Sequence, residues 1–118
     1  MTRKREEEMR RKRKYRGDIP ASVAELIRSL CADYERRENA IKFSAITGPV
    51  LARYVELNAA IDTAMCGVEA GIREDLLADI GSGRGYEASA LCMVMAKNTY
   101  YKRKEKVIKD IARELALI

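Results

Sequence analysis

The chain has 118 residues, of which 23 are Lys or Arg, 18 are Asp or Glu and none is His, so its formal net charge is +5. This length fits one domain, and 47% hydrophobic with 35% charged residues excludes both a disordered chain and a membrane-embedded one. The lack of histidine excludes Ser-His-Asp and Cys-His nucleophiles, HExxH zinc sites and imidazole acid-base catalysis. We therefore expect a protein that is not an enzyme and that uses no cofactor or metal.

The residue types favour helices. Aromatic residues make up 6% of the chain, Trp is absent and Pro occurs twice, while Ala, Leu, Ile, Arg, Lys and Glu are abundant. Cys31, Cys66 and Cys92 form no CxxC pair, which indicates reduced thiols. No apolar segment opens the chain or is long enough to span a bilayer. The expectation is an all-α, cytoplasmic protein that does not contact membranes.

Charge divides the chain into three zones. Residues 1–16 carry nine basic and three acidic side chains, residues 17–96 carry seven and twelve, and residues 97–118 carry seven and three. Two basic ends around an acidic middle indicate a polyanionic partner, with nucleic acid as the first candidate.

Residues 1–18 predict a flexible basic arm, because they show no apolar periodicity. The arm contains the candidate DNA contacts Arg10, Arg11, Lys12, Arg13 and Lys14. Two interpretations stay open here: a solvated tail that aids solubility, or an arm that lies along phosphates or enters a minor groove. Residues 19–118 are predicted to form one helical domain.

Apolar residues at i, i+3, i+4 and i+7 predict helices over the residues that precede the glycine-rich stretch 81–85. The first spans residues 20–43 and the second residues 49–70. Residues 72–80 are predicted to form a shorter third helix or a continuation of the second after a kink. The acidic residues of this part are interpreted as a solvated face, with a partner surface as the alternative; they include Glu69, Glu74, Asp75 and Asp79.

The glycine cluster Asp79-Ile80-Gly81-Ser82-Gly83-Arg84-Gly85 resembles the D-x-G-x-G-x-G motif of S-adenosylmethionine-dependent methyltransferases. In such a fold the glycines follow a buried strand and open a helix inside a βαβ unit. Here charged residues with a helical period precede them, and residues 86–118 are too few for the remaining strands. The cluster is therefore interpreted as a connector in which glycine lets two helices turn sharply.

The C-terminal part predicts a helix-turn-helix at residues 86–118. A short helix over Tyr86 to Met95 precedes a longer one that runs to Ile118, with Ala90 at the helix crossing and Met93 and Met95 filling the turn. The alternative on spacing alone is an ordinary αα-hairpin with a basic outer face.

The last helix combines an apolar stripe with a basic side, since Lys102, Lys106, Lys109 and Arg113 stand at i, i+4, i+7 and i+11. Of Tyr100 and Tyr101, one is expected to pack inward against Leu91 or Ile108 and the other to offer its hydroxyl to a phosphate. The predicted DNA contacts are Lys97, Asn98, Thr99, Tyr101, Lys102, Arg103 and Lys106.

The run Lys97-Asn98-Thr99-Tyr100-Tyr101-Lys102-Arg103-Lys104, together with Ile108 to Ile118, resembles the C-terminal end of phage-encoded transcriptional regulators of the RinA and ArpU type. That family ends in a sigma-region-4-like helix-turn-helix with a Ser-x-x-Thr-Tyr-Tyr-Arg start and an Ile-Ala-x-x-Leu-Gly-Leu-Ile finish. Ala96, Val94 and Ala116 stand where the family has Ser, Gly and Gly. The resemblance covers residues 86–118 and implies binding of double-stranded DNA, regulation of phage or prophage transcription, and contact with RNA polymerase.

A second hypothesis is a phage assembly or DNA-packaging role. The protein would then be a scaffolding homo-oligomer built through residues 20–43 and 49–70, or would resemble a small terminase subunit. A ring of many protomers favours packaging, whereas a monomer or dimer favours a regulator.

Overall fold

The computed structural model describes residues 19–118; the predicted basic arm, with Arg10 to Lys14, lies outside them. The described range is helical and contains no strand, which confirms the all-α prediction for this part of the chain. None of its helices is both long enough and apolar enough to cross a membrane.

Five α-helices make up most of this range. They are α1 (Ala21–Ala32), α2 (Tyr34–Lys42), α3 (Gly48–Met65), α4 (Arg73–Ser82) and α5 (Lys97–Glu114). Three short 3-10 turns complete it, one before α4 and two between α4 and α5: Ala70–Ile72, Tyr86–Ala88 and Ala90–Met93.

The single helix predicted over residues 20–43 is wrong, because the chain breaks at Asp33 (φ −96°, ψ 4°) into α1 and α2. α1 packs on α4 and α5, whereas α2 packs on α3, so the chain must change direction between them. The break lies where α4 comes very close: a Cβ at Gly81 would be 2.9 Å from the Cα of Ala32. Apolar spacing does not reveal this break, since both halves follow the same helical period.

The hydrophobic core lies between α1, α4, α5 and the C-terminal half of α3. Its most deeply buried side chains are Ile27, Ile61, Leu76, Leu91, Tyr100, Val107 and Ile111. All of them belong to apolar stripes or tight turns, so the helical period identifies most of the inward positions. Leu26 and Val55 follow the same period and are exceptions, since they are 45% and 47% exposed.

α3 and α5 run antiparallel. Glu69, just after α3, pairs with Arg103 near the start of α5, whereas Thr63 lies beside Arg113 near its end. The N-terminal half of α3, together with α2, therefore extends past the C-terminal end of α5. This α2–α3 hairpin is remote from the first turn of α5.

The α-helix predicted over Tyr86 to Met95 is also wrong, since this stretch forms two 3-10 turns. Ala90 is exposed and Met93 is 90% exposed, so neither fills a helix crossing or a turn; Leu91 is the residue buried here. The arrangement of α4, the 3-10 turns and α5 therefore lacks the predicted first helix, and a helix-turn-helix at 86–118 stays a prediction.

Side-chain hydrogen bonds stabilise this irregular path. The Ser89 hydroxyl accepts the Leu91 N–H at 3.0 Å. The Tyr86 hydroxyl lies 3.0 Å from the carbonyl oxygen of Cys92 and 2.7 Å from that of Met95. Backbone groups that an α-helix would pair internally are thus bonded to side chains instead.

Candidate nucleic-acid interface

The first turn of α5 begins at Lys97, with Ala96 as the N-cap in an extended conformation (φ −69°, ψ 153°) and with no side-chain cap bond. Asn98 and Thr99 are therefore the second and third residues of the helix. Val94 is right-handed, whereas Ala116, where the RinA and ArpU family has Gly, has a left-handed φ of 56°. This start determines which side chains of α5 face outward.

The outer side of α5 is basic. Lys102, Lys106 and Arg113 are exposed and Lys109 is half-buried, while Ile111 on the opposite side is fully buried. At 100° per residue the four basic residues fall within about 60° of one another around the helix axis. The predicted separation of a basic side from a core side is thus present in the structure.

Asn98 and Lys102 are the most accessible of the predicted DNA contacts. Both are exposed, and within residues 19–118 neither side chain is engaged in a hydrogen bond or ion pair. They border an open groove of about 980 Å³ between α5 and α1, whose opposite wall includes Glu25 and Arg28. Their polar groups are available to a ligand.

Two other predicted contacts are held in ion pairs. The Lys97 ammonium lies 3.1 Å from a carboxylate oxygen of Glu87, a hydrogen-bonded pairing that raises the pKa of Lys97. Arg103 lies 2.8 Å from Glu69. Water screens ion pairs at the surface, so these two contribute little and a phosphate can compete for either cation.

Lys106 and Thr99 complete the predicted set on α5. Lys106 is exposed and pairs with Asp110 one turn later at 2.7 Å. Thr99 is half-buried. The structure therefore places Asn98, Lys102 and Lys106 on the accessible side of the helix, with Thr99 at its border.

One of the two tyrosines of α5 packs inward, as predicted. Tyr100 is fully buried in the same core cluster as Leu91 and Ile108. Tyr101 is half-buried, and its hydroxyl accepts the Tyr86 N–H at 3.3 Å. An acceptor role toward the backbone leaves the Tyr101 hydroxyl proton available, so donation to a phosphate stays a prediction.

Asp79 is a structural residue that the sequence analysis assigned wrongly to the surface, since it is 1% exposed. One of its carboxylate oxygens accepts the hydroxyls of Ser89 and Tyr100, the latter at 3.0 Å, and the other lies 3.4 Å from the Arg84 guanidinium. Burial, together with the bond to Asp79, raises the pKa of Tyr100. Its position three residues after the buried Leu76 was the available signal, because it places Asp79 on the apolar side of α4.

The cluster around Asp79 joins α4, α5 and the segment of residues 83–96 that connects them. The Tyr100 hydroxyl also lies 3.2 Å from the Arg84 carbonyl, and the Lys104 ammonium donates to that carbonyl at 2.9 Å. The orientation of the first turns of α5 therefore depends on residues of the 83–96 segment.

The glycines of the D-x-G-x-G-x-G pattern follow a helix, α4, and not a strand. Gly81 lies inside α4 at its contact with α1, and Gly83 (φ 73°) ends that helix in the left-handed conformation. Among residues 19–118 no group of three or more Cys, Asp or Glu side chains is arranged to hold a metal ion.

Comparisons with protein-family models, with curated protein sequences and with solved structures find no match to this chain. The geometry of α5 and the resemblance of residues 86–118 are therefore the two sources for a functional hypothesis.

Proposed function

We propose that the protein binds double-stranded DNA through α5. The observation that carries the proposal is the row of exposed polar and basic side chains on its outer side, above all Asn98, Lys102 and Lys106. An α-helix fits the major groove, where Asn pairs with adenine and Lys with guanine, and Lys also contacts phosphates. With 18 residues, α5 is about 27 Å long and so reaches both across the groove and along a flanking strand.

The resemblance to RinA and ArpU regulators adds a biological role to this proposal. On that basis DNA binding serves the regulation of phage or prophage transcription, with RNA polymerase as a further partner. The mechanism is occupancy of a DNA site, and the two 3-10 turns stand in place of the first helix of a helix-turn-helix.

The test is fluorescence anisotropy on a labelled duplex over a salt series. Lys102→Ala with Lys106→Ala removes two charges from the outer side of α5. Lys42→Ala with Arg53→Ala removes two exposed charges from the α2–α3 hairpin and so gives the same net charge. Deleting residues 1–16 in each background separates any contribution of the basic arm.

We expect the α5 variant to bind more weakly and to lower the slope of log K against log salt by about 2, since each phosphate contact contributes about 0.9. The hairpin variant should keep the native slope. Equal losses in both variants, or binding that disappears with the arm alone, would remove α5 as the interface.

A packaging or assembly role is the second candidate, and one observation favours it. Phe43, Val50 and Val55 on the α2–α3 hairpin are large apolar residues about half or more exposed, as in surfaces that associate. Light scattering coupled to size exclusion separates the candidates, since a ring of many protomers supports packaging and a monomer or dimer supports a regulator.

A further inference from the structure

Two exposed apolar side chains lie directly before the first turn of α5. Met93 is 90% exposed and Val94 is 64% exposed. Val94 is three residues from Lys97, so their Cα atoms are at most about 11 Å apart. The apolar pair is therefore next to the side chains assigned to DNA.

The turn that carries this pair is held firmly. The Tyr86 hydroxyl bonds the carbonyls of Cys92 and Met95, the two residues that flank the pair. Leu91, just before it, is 1% exposed and anchors the turn in the core. Met93 and Val94 thus project from a fixed backbone and gain little from folding, since their apolar surface stays in water.

A partner for this pair must offer an apolar group beside an anionic surface. In the major groove, the apolar group on the base edges is the C5-methyl of thymine. The groove is bordered by two rows of phosphates, which attract the neighbouring lysines. Lys97, Asn98 and Lys102 follow the apolar pair in the chain, are exposed, and carry basic and amide groups suited to such a surface.

We propose that Met93 and Val94 contact thymine methyl groups in the major groove and so give the protein a preference for thymine-containing sites. This inference rests on the proposed DNA binding by α5. It adds base discrimination from a segment outside the helix.

Replacing thymine by uracil removes only the C5-methyl, which makes a direct probe. Anisotropy titrations compare the full chain on an alternating A·T duplex and on the same duplex with deoxyuridine in place of thymidine. The variant Met93→Ser with Val94→Thr removes the apolar contacts at exposed positions, and circular dichroism checks that its helix content is native. Val50→Thr is the matched control, because it makes the same change at an exposed position on the remote hairpin.

We expect the native chain and Val50→Thr to bind the uracil duplex about 3- to 10-fold more weakly than the thymine duplex, as the loss of one or two buried methyl contacts predicts. The double variant should bind both duplexes equally. The thymine proposal is overturned if the native chain binds both duplexes equally. It is also overturned if the double variant still binds the uracil duplex more weakly than the thymine duplex. In either case, salt-dependent DNA binding would still support the proposed function. No binding to either duplex at low salt overturns the proposed function together with this inference.

Discussion

Two buried polar clusters lie in different regions of the molecule and have different tasks. In the 83–96 segment the buried anion Asp79 is bonded by Ser89 and Tyr100. In the α2–α3 hairpin the buried cation Arg37 donates to the Asn58 side chain at 2.6 Å and to the Leu30 carbonyl. Arg37 is partnered by neutral groups, whereas Asp79 has two hydroxyl partners and also lies 3.4 Å from the Arg84 guanidinium.

The two clusters differ in how far the nearby backbone depends on them for its hydrogen bonds. α2 and α3 are regular helices that pair most of their own backbone groups. The Arg37 cluster adds bonds to two carbonyls, those of Leu30 and Tyr34, and otherwise contributes to how the helices pack. The 83–96 segment has no α-helix, and its path relies on side chains that bond its backbone. A polar cluster in an irregular segment is thus expected to affect both stability and the orientation of the helix that follows.

The largest expected effect is that of Asp79→Ala. The Ser89 hydroxyl loses its acceptor, the Tyr100 hydroxyl keeps only the Arg84 carbonyl, and a cavity remains. The free energy of unfolding should therefore fall by about 3 kcal/mol. Urea unfolding followed by circular dichroism measures it. Asp79→Asn is the control and should cost about half as much, because the amide oxygen can replace the carboxylate oxygen that accepts both hydroxyls, while the charge that faces Arg84 is lost. Equal losses for both variants would contradict the role assigned to the hydroxyl bonds.

Arg37→Met should cost less, about 1 to 2 kcal/mol, in the same unfolding assay. It leaves the Asn58 amide oxygen and the Leu30 carbonyl without a donor. It also removes a buried charge, whose burial lowers the pKa of Arg37. DNA affinity, measured where both proteins are fully folded, should be native in Arg37→Met and reduced in Asp79→Asn. A reduction of similar size in both would erase the difference between the two regions.

The smallest expected effects come from the helix ends of the two regions. Gly83 ends α4 with φ 73°, whereas Ser44 follows α2 with φ 54°, a conformation that glycine adopts at lower cost. Gly83→Ala should lower the free energy of unfolding by about 1 kcal/mol, and Ser44→Gly should raise it by about 0.5 kcal/mol. Thermal unfolding detects both, and two shifts of the same sign would contradict this reading.

The helical periods predicted most of the helices and most of the side chains that they bury, but not the break at Asp33 or the 3-10 turns of residues 86–93. α3 begins at Gly48 after Thr47, near the predicted start, and the basic side of α5 follows directly from the spacing of Lys102, Lys106 and Arg113. These features are local, since residues three or four apart on a helix share a face whatever packs against them. The sequence by itself therefore determined the all-α class and the outer surface of α5.

Tertiary contacts decided the rest. The break at Asp33 accompanies the packing of α1 and α2 on different neighbours, and residues 86–93 turn as 3-10 because Tyr86 and Ser89 bond their backbone. The ion pair of Arg103 with Glu69 joins residues far apart in the chain, and Asp79 meets Tyr100 in the same way. The helical spacing of apolar residues shows which face of a helix is apolar, but it does not show which group packs against that face. Only the folded chain therefore identifies these partners.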